Sequence, residues 1–118
     1  MSEIYSIHDT RIIPIHINNR HKTEALNIAL NYVLGEYVLE LDGDDWIDPN
    51  TLEIAESKMH SLSQNEGMVF LNQKVWFENN GVIREGPIYK GVSYIDKFEV
   101  LEKLESNCPR LYRYSAIE

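Results

Sequence analysis

The segment that most constrains this chain is Tyr37-Val38-Leu39-Glu40-Leu41, which runs directly into Asp42-Gly43-Asp44-Asp45. A short, largely apolar run of this kind reads as a buried strand. Three carboxylates within four residues then stand together at its C-terminal end. Two like charges about 4 Å apart repel by about 4 kcal/mol at an effective dielectric of about 20. Such crowding is relieved by a divalent cation, by a shared proton, or by splaying into water. In open α/β sheets ligands bind outside the carboxyl ends of strands, so the cluster stands where a site belongs. Gly43 lets a ligand come close to the backbone.

The flanking patterns set the fold around this segment. Ile12-Ile13-Pro14-Ile15-His16-Ile17 predicts a strand, and Pro14, which cannot donate to a ladder, puts it at a sheet edge. Asn18-Asn19-Arg20-His21 reads as a turn. From Lys22 to Leu34, Leu26, Ala29, Leu30 and Val33 recur at helical spacing. Ala25, Ile28 and Tyr32 widen that face, which predicts a mostly buried helix, stopped by Gly35. Asp48-Pro49 has the form of an N-cap followed by Pro at the first helical position, with Leu52, Ala55, Met59 and Leu62 carrying a helix to about Ser63. Gly67 to Phe77 predicts a strand, Asn80-Gly81 a hairpin turn, and Val82 to Tyr89 the returning strand. Ile95, Phe98, Leu101 and Leu104 mark a further helix, and Arg110 to Tyr114 a short strand. This order predicts an α/β fold: a mixed sheet with flanking helices and a β-hairpin. With no repeat or linker in its 118 residues, the chain reads as a single domain, 1–118.

Charge and composition narrow the function classes. Nineteen acids against 11 bases give a net charge of -8, which argues against a general nucleic-acid binder and against an anionic membrane surface as partner. A hydrophobic content of 43% is enough for a core. The single cysteine, Cys108, excludes an internal disulfide and a multi-cysteine zinc site, and reads as a core thiol. His8, His16, His21 and His60 form no i, i+4 pair, so a zinc site is not expected. No apolar run approaches the ~20 residues of a membrane span, and the N-terminus lacks the basic head and apolar stretch of a signal peptide. The expectation is a soluble, cytoplasmic protein.

Four readings of the acidic cluster compete. One is a solvated acidic turn. A second is a calcium loop with Asp42, Asp44 and Glu53 at positions 1, 3 and 12. Trp46 and Ile47 at positions 5 and 6, and a strand rather than a helix before it, exclude that reading. A third is a haloacid-dehalogenase-like phosphatase, with Asp42 as nucleophile and Asp44 as acid/base, although Asp45-Trp46 replaces the expected Gly-Thr. The fourth is an Asp-x-Asp site in which a metal bridges the two phosphates of a nucleotide-sugar.

The surroundings sharpen the fourth. Lys22-Thr23-Glu24-Ala25-Leu26-Asn27-Ile28-Ala29-Leu30, then Leu34-Gly35-Glu36-Tyr37-Val38-Leu39-Glu40-Leu41-Asp42-Gly43-Asp44-Asp45-Trp46, then Pro49 and Leu52-Glu53, together resemble the family 2 glycosyltransferases of the GT-A, Rossmann-like fold. The close match covers Ile13 to Met59; Cys108 to Glu118 looks like the segment leading to the family's acceptor side. The resemblance implies Asp44 as ligand of Mg²⁺ or Mn²⁺, and Asp42 beside the donor ribose. It implies Asp45 as a support through hydrogen bonding or through water on the metal, Lys22 facing nucleotide or phosphate charge, and Asn27 fixing the loop or touching the nucleoside. The donor would be a nucleotide-sugar, most often a UDP-sugar, with the acceptor open.

The family's first strands and its catalytic base have no counterpart in these residues, the base being expected past Glu118. The chain is therefore expected to be a partial GT-A domain, inactive alone, with unpaired sheet edges through which copies could associate. A catalytically silent α/β module for binding or assembly is the alternative. Trp46 and Trp76 read as packing residues, though either could stack on a base or sugar. Tyr89, Tyr94 and Tyr112 are candidates for an acceptor groove. Glu99, Glu102 and Glu105 read as a solvated helix face.

Overall fold

The computed structural model describes residues 7–18, 21–91 and 109–117. The predicted helix over Ile95 to Leu104, together with Tyr94, the Glu99–Glu105 face and Cys108, lies outside them. Two compact units, Met1–Leu34 and Gly35–Glu118, make up the chain.

In the first unit Arg11 folds back on Asp9. Its Nε and Nη2 donate to the two carboxylate oxygens at 3.0 and 2.7 Å, and its backbone N–H donates to Oδ1 at 2.9 Å. The Arg11 guanidinium thereby lowers the Asp9 carboxyl to about 2. The β-rich run Ile12–Ile17 that follows is paired with no strand among the described residues. Strand character requires a ladder partner, and Pro14 removes one of the donors such a ladder would use.

Helix α1 spans Lys22–Leu30 and stops short of the expected Leu34. Asn31 explains the early stop. Its Nδ2 donates to the carbonyls of Asn27 and Ile28 at 3.1 and 3.2 Å, and the next N–H groups, of Tyr32 and Val33, close i to i+3 turns onto Ala29 and Leu30. The expectation of a mostly buried helix is not met. Ala25, Leu26, Ile28, Ala29 and Leu30 are half-buried, while Tyr32 and Leu34 beyond the helix are exposed.

The second unit carries the sheets. Strand β1 is Tyr37–Leu39, helix α2 is Thr51–His60, and strands β2, β3, β4 and β5 are Met68–Phe70, Gln73–Asn79, Val82–Tyr89 and Arg110–Arg113. A 3-10 turn, Tyr114–Ala116, follows β5. The larger sheet has the order β1-β5-β2, both pairings antiparallel, so β1 and β2 run parallel to each other on either side of β5. Helix α2 crosses from one to the other, which makes the architecture α/β.

Register explains the core. Leu39 pairs with Leu111, which pairs with Val69, so the three form one row across the sheet on one face. Ala55 and Met59, one helical turn apart on α2, bury against this row, Met59 completely. Tyr37, Leu62 and Leu71 complete the cluster. The helix pattern read from the sequence holds at Ala55, Met59 and Leu62, but Leu52 is exposed, the N-cap is Asn50 rather than Asp48, and the helix ends at His60 rather than Ser63. Strand β1 is shorter and less buried than expected: it ends at Leu39, and Leu41 is exposed.

One charge lies in this core. Arg113, 4% exposed, sits over the Tyr37 ring at 5.7 Å. Its guanidinium donates to the carbonyls of Glu66 and Met59 at 3.4 and 3.5 Å and to Glu36 Oε1 at 3.5 Å. The Met59 carbonyl belongs to the last turn of α2, where helical acceptors lack intrahelical donors and a cation is favoured. Burial, ahead of the Glu36 carboxylate, raises the pKa of the Tyr37 hydroxyl.

The strand expected over Gly67 to Phe77 is two strands in different sheets. The break falls at Leu71 and Asn72, just past the last β2–β5 pair, Phe70–Arg110. Leu71 N–H donates to the Pro109 carbonyl at 2.8 Å, and Asn72 Oδ1 accepts from Gly91 N–H at 2.9 Å. Strands β3 and β4 form a separate hairpin whose turn is Asn80-Gly81, with φ 51° and 77°. Positive φ at both central residues matches the right-handed twist of the strands.

Gly86 in β4 is held to its identity by packing. A Cβ there would meet Phe77 Cε2 at 2.7 Å and the Val75 carbonyl oxygen at 2.9 Å. Gly86→Ala is expected to cost about 1–3 kcal/mol by overpacking. Urea unfolding followed by circular dichroism checks this; a midpoint unchanged from wild type would contradict it.

Candidate functional site

The carboxylate cluster lies on a turn. After β1 the chain passes through Glu40 and Leu41, and Asp42–Asp45 closes with the Asp45 N–H donating to the Asp42 carbonyl at 3.0 Å. A second turn, in which Thr51 N–H donates to the Asp48 carbonyl at 3.0 Å, leads into α2. The acidic turn thus occupies the strand-to-helix corner at the carboxyl end of β1, the place at which open α/β sheets bind ligands.

Asp42, Gly43, Asp44 and Asp45 are all exposed. Gly43 is not required by the chain itself: a Cβ there would meet nothing within 4 Å, and its φ is not in the left-handed region. The backbone at this corner therefore stands open to an approaching molecule.

Carboxylate oxygens on an exposed turn suit a hard cation such as Mg²⁺ or Mn²⁺. Among the described residues, however, no group of three His, Cys, Asp or Glu side chains is arranged to hold a metal ion. The turn alone is an incomplete shell. It fits a cation of the Mg²⁺ kind, which keeps waters and is bound through one or two carboxylates together with substrate phosphates.

The remaining sequence-derived residues divide between the units. Lys22 opens α1 behind His21, which makes no side-chain cap, and Asn27 lies in the middle of that helix; both are exposed. Asn27 is thus not the core-facing hydrogen bonder that a packing role would make it. Of the tyrosines, Tyr89 is exposed and Tyr112 half-buried on β5.

Trp46 and Trp76 do not pack into the core. Trp46 is 66% exposed and Trp76 39%. Their ring centroids are 6.5 Å apart, with planes inclined by 37°. Lys74 Nζ lies 4.8 Å from the Trp76 centroid and 2.7 Å from Glu85 Oε1. Nothing in the sequence periodicity joins Trp46 to Trp76; the hairpin brings them together. Sequence reasoning also missed the burial of Arg113.

Comparison with known proteins gives one consistent result. The family model described as glycosyl transferase family 2 matches residues 1–118. EpsH of Bacillus subtilis (strain 168), whose name marks it as a candidate glycosyltransferase, is 26% identical over 124 residues. That alignment covers 100% of this chain and 35% of EpsH. Glycosyltransferase GlyA of Streptococcus pneumoniae serotype 4 (strain ATCC BAA-334 / TIGR4) is 31% identical over 80 residues, 58% of this chain and 12% of GlyA. The chain spans about a third or less of the length of these relatives. No solved structure matches it. None of these similarities favours the phosphatase or the silent module. Among the described residues no helix is long and apolar enough to cross a membrane.

Proposed function

Because the chain belongs to glycosyl transferase family 2, we propose that it forms the donor-binding part of an enzyme moving a sugar from a nucleotide-sugar, a UDP-sugar in the simplest case, to an acceptor. The observation that carries this reading is the exposed Asp42–Asp45 turn at the carboxyl end of β1, with open space at Gly43. Asp44 is the residue that would ligate Mg²⁺ or Mn²⁺, and Asp42 would sit by the donor ribose and behind the metal's ligands. Asp45 braces the turn through its N–H to Asp42. Lys22 and Asn27 are assigned to the nucleotide. When bound, the metal supplies Lewis-acid stabilisation of the charge that gathers on the departing diphosphate.

For these 118 residues by themselves the proposal is binding without turnover, on the expectation that the catalytic base lies past Glu118. Calorimetric titration of the chain with UDP, with Mn²⁺ present and after chelation, tests the donor site. Saturable UDP binding that disappears with the metal is expected. Binding indifferent to the metal, or none at all, would remove the donor-site assignment. Transfer to an acceptor by the isolated chain would overturn the statement about turnover.

A further inference from the structure

Strand β5 carries two arginines with different surroundings. Arg113 is compensated by Glu36, by two carbonyls and by the Tyr37 ring. Arg110 has the Phe70 ring, 5.6 Å from its guanidinium carbon, while its Nε is buried with no hydrogen-bond partner. The ion pairs among the described residues go to Arg11, Lys74 and Arg113 instead. With 19 acids against 11 bases, scarcity of carboxylates does not explain this. A buried N–H without an acceptor is costly, and in a native fold it points to a functional role, a water or an ion.

Topology puts Arg110 at the ligand end of the sheet. Because β5 runs antiparallel to both neighbours, its first residue lies beside the last residues of β1 and β2. Arg110 pairs with Phe70, the end of β2, and stands one residue outside the Leu39–Leu111 pair that ends β1. The carboxyl ends of such parallel strands are where open α/β sheets take ligands.

Stacking on a ring holds a guanidinium plane in place without using its N–H groups. Phe70 is itself hemmed in: a Cβ on Gly91 would meet the Phe70 carbonyl oxygen at 2.8 Å and the Phe70 Cβ at 3.0 Å. A planar fork of donors, set on a ring and short of acceptors, is matched by two oxygens of a phosphate or carboxylate group. A net charge of -8 disfavours a polyanion, so the complement is a small ligand carrying one such group.

We infer that Arg110 is a receptor for a phosphate or carboxylate group at the carboxyl end of the sheet, acting without a metal. The binding does not rest on the transferase reading; counting the anion as part of a substrate does.

The Arg110 Nε–H resonance in ¹H–¹⁵N spectra, assigned by its loss in Arg110→Lys, reads the site directly. Titration with inorganic phosphate and with glucuronate, without metal or nucleotide, should shift it saturably for at least one probe. A response to phosphate alone marks a phosphorylated ligand, one to glucuronate alone an acidic sugar, and one to both a site open to either. Followed through the backbone amides of β5, Arg110→Lys, which keeps the charge but not the fork, should bind roughly tenfold more weakly. Arg110→Met should not bind, with far-UV circular dichroism verifying the fold of each variant. No shift with either probe would assign the orphaned N–H to a bound water and overturn the receptor. So would affinity unchanged in both variants, or a shift that requires Mn²⁺, which would give the anion to the acidic turn. Metal-free binding without metal-dependent UDP binding would support the receptor while sinking the donor site. UDP binding without a metal-free response would do the reverse.

Discussion

Asp44→Asn is expected to weaken metal-dependent UDP binding by about two orders of magnitude, about 2.7 kcal/mol, while leaving the fold intact. The size follows from what the turn offers. With no third metal-ligating side chain grouped with these carboxylates among the described residues, losing one charged oxygen donor removes a large share of the protein's hold on the cation. The substitution conserves shape, and because the side chain is exposed the change in stability should stay within ~0.5 kcal/mol. Asp45→Asn, whose backbone N–H still closes the turn, should cost less, on the order of tenfold, as expected for a supporting group. Glu56→Gln on the exposed side of α2 controls for loss of one negative charge. Calorimetry with Mn²⁺ and UDP on the three variants checks the order. Equal affinity for Asp44→Asn and wild type would exclude Asp44 as the ligand.

Met59→Ala is expected to destabilise the protein by about 2–5 kcal/mol. Among the described residues, Met59 at 0% exposure stands with Ala55 and Leu111 at the centre of the core cluster. Truncating Met59 opens a cavity under the Leu39–Leu111–Val69 row. Against a typical total of about 5–15 kcal/mol, this is a substantial fraction. Ile54→Ala, on the same helix but 67% exposed, should change stability by no more than about 0.5 kcal/mol. Urea unfolding should show a lowered midpoint for Met59→Ala with an unchanged slope. Equal losses for the two variants would mean that α2 does not dock by the Ala55–Met59 face.

What could be read in advance was what depends on neighbours in sequence. Asn80-Gly81 demanded a turn because few other residues accept positive φ at two successive positions, and the turn is there. The α/β character, the Ala55–Met59 stripe and the strand at Arg110–Arg113 likewise follow local pattern. Ile12–Ile17 went the other way: its composition suits a strand, but a strand exists only through a partner that composition does not supply. Arg113 reads as a surface cation until its compensation is known, and that comes from the carbonyls of Glu66 and Met59 and from the ring of Tyr37, all remote in sequence. The family and the acidic corner were visible in Leu39 to Trp46, because motif and strand end coincide there. The meeting of Trp46 with Trp76 depends on how a hairpin folds back, and no spacing rule reports it.

The placement of β5 between β1 and β2 has a consequence for biosynthesis. While a ribosome has delivered the chain only as far as Tyr89, β1 and β2 have both emerged, yet neither has the neighbour it pairs with in the finished sheet. Two open strand edges then wait, exposed to other chains, until Arg110–Arg113 arrives and joins them in one step. The acidic corner at the end of β1 inherits this timing, gaining its finished sheet only once Arg110–Arg113 has been made.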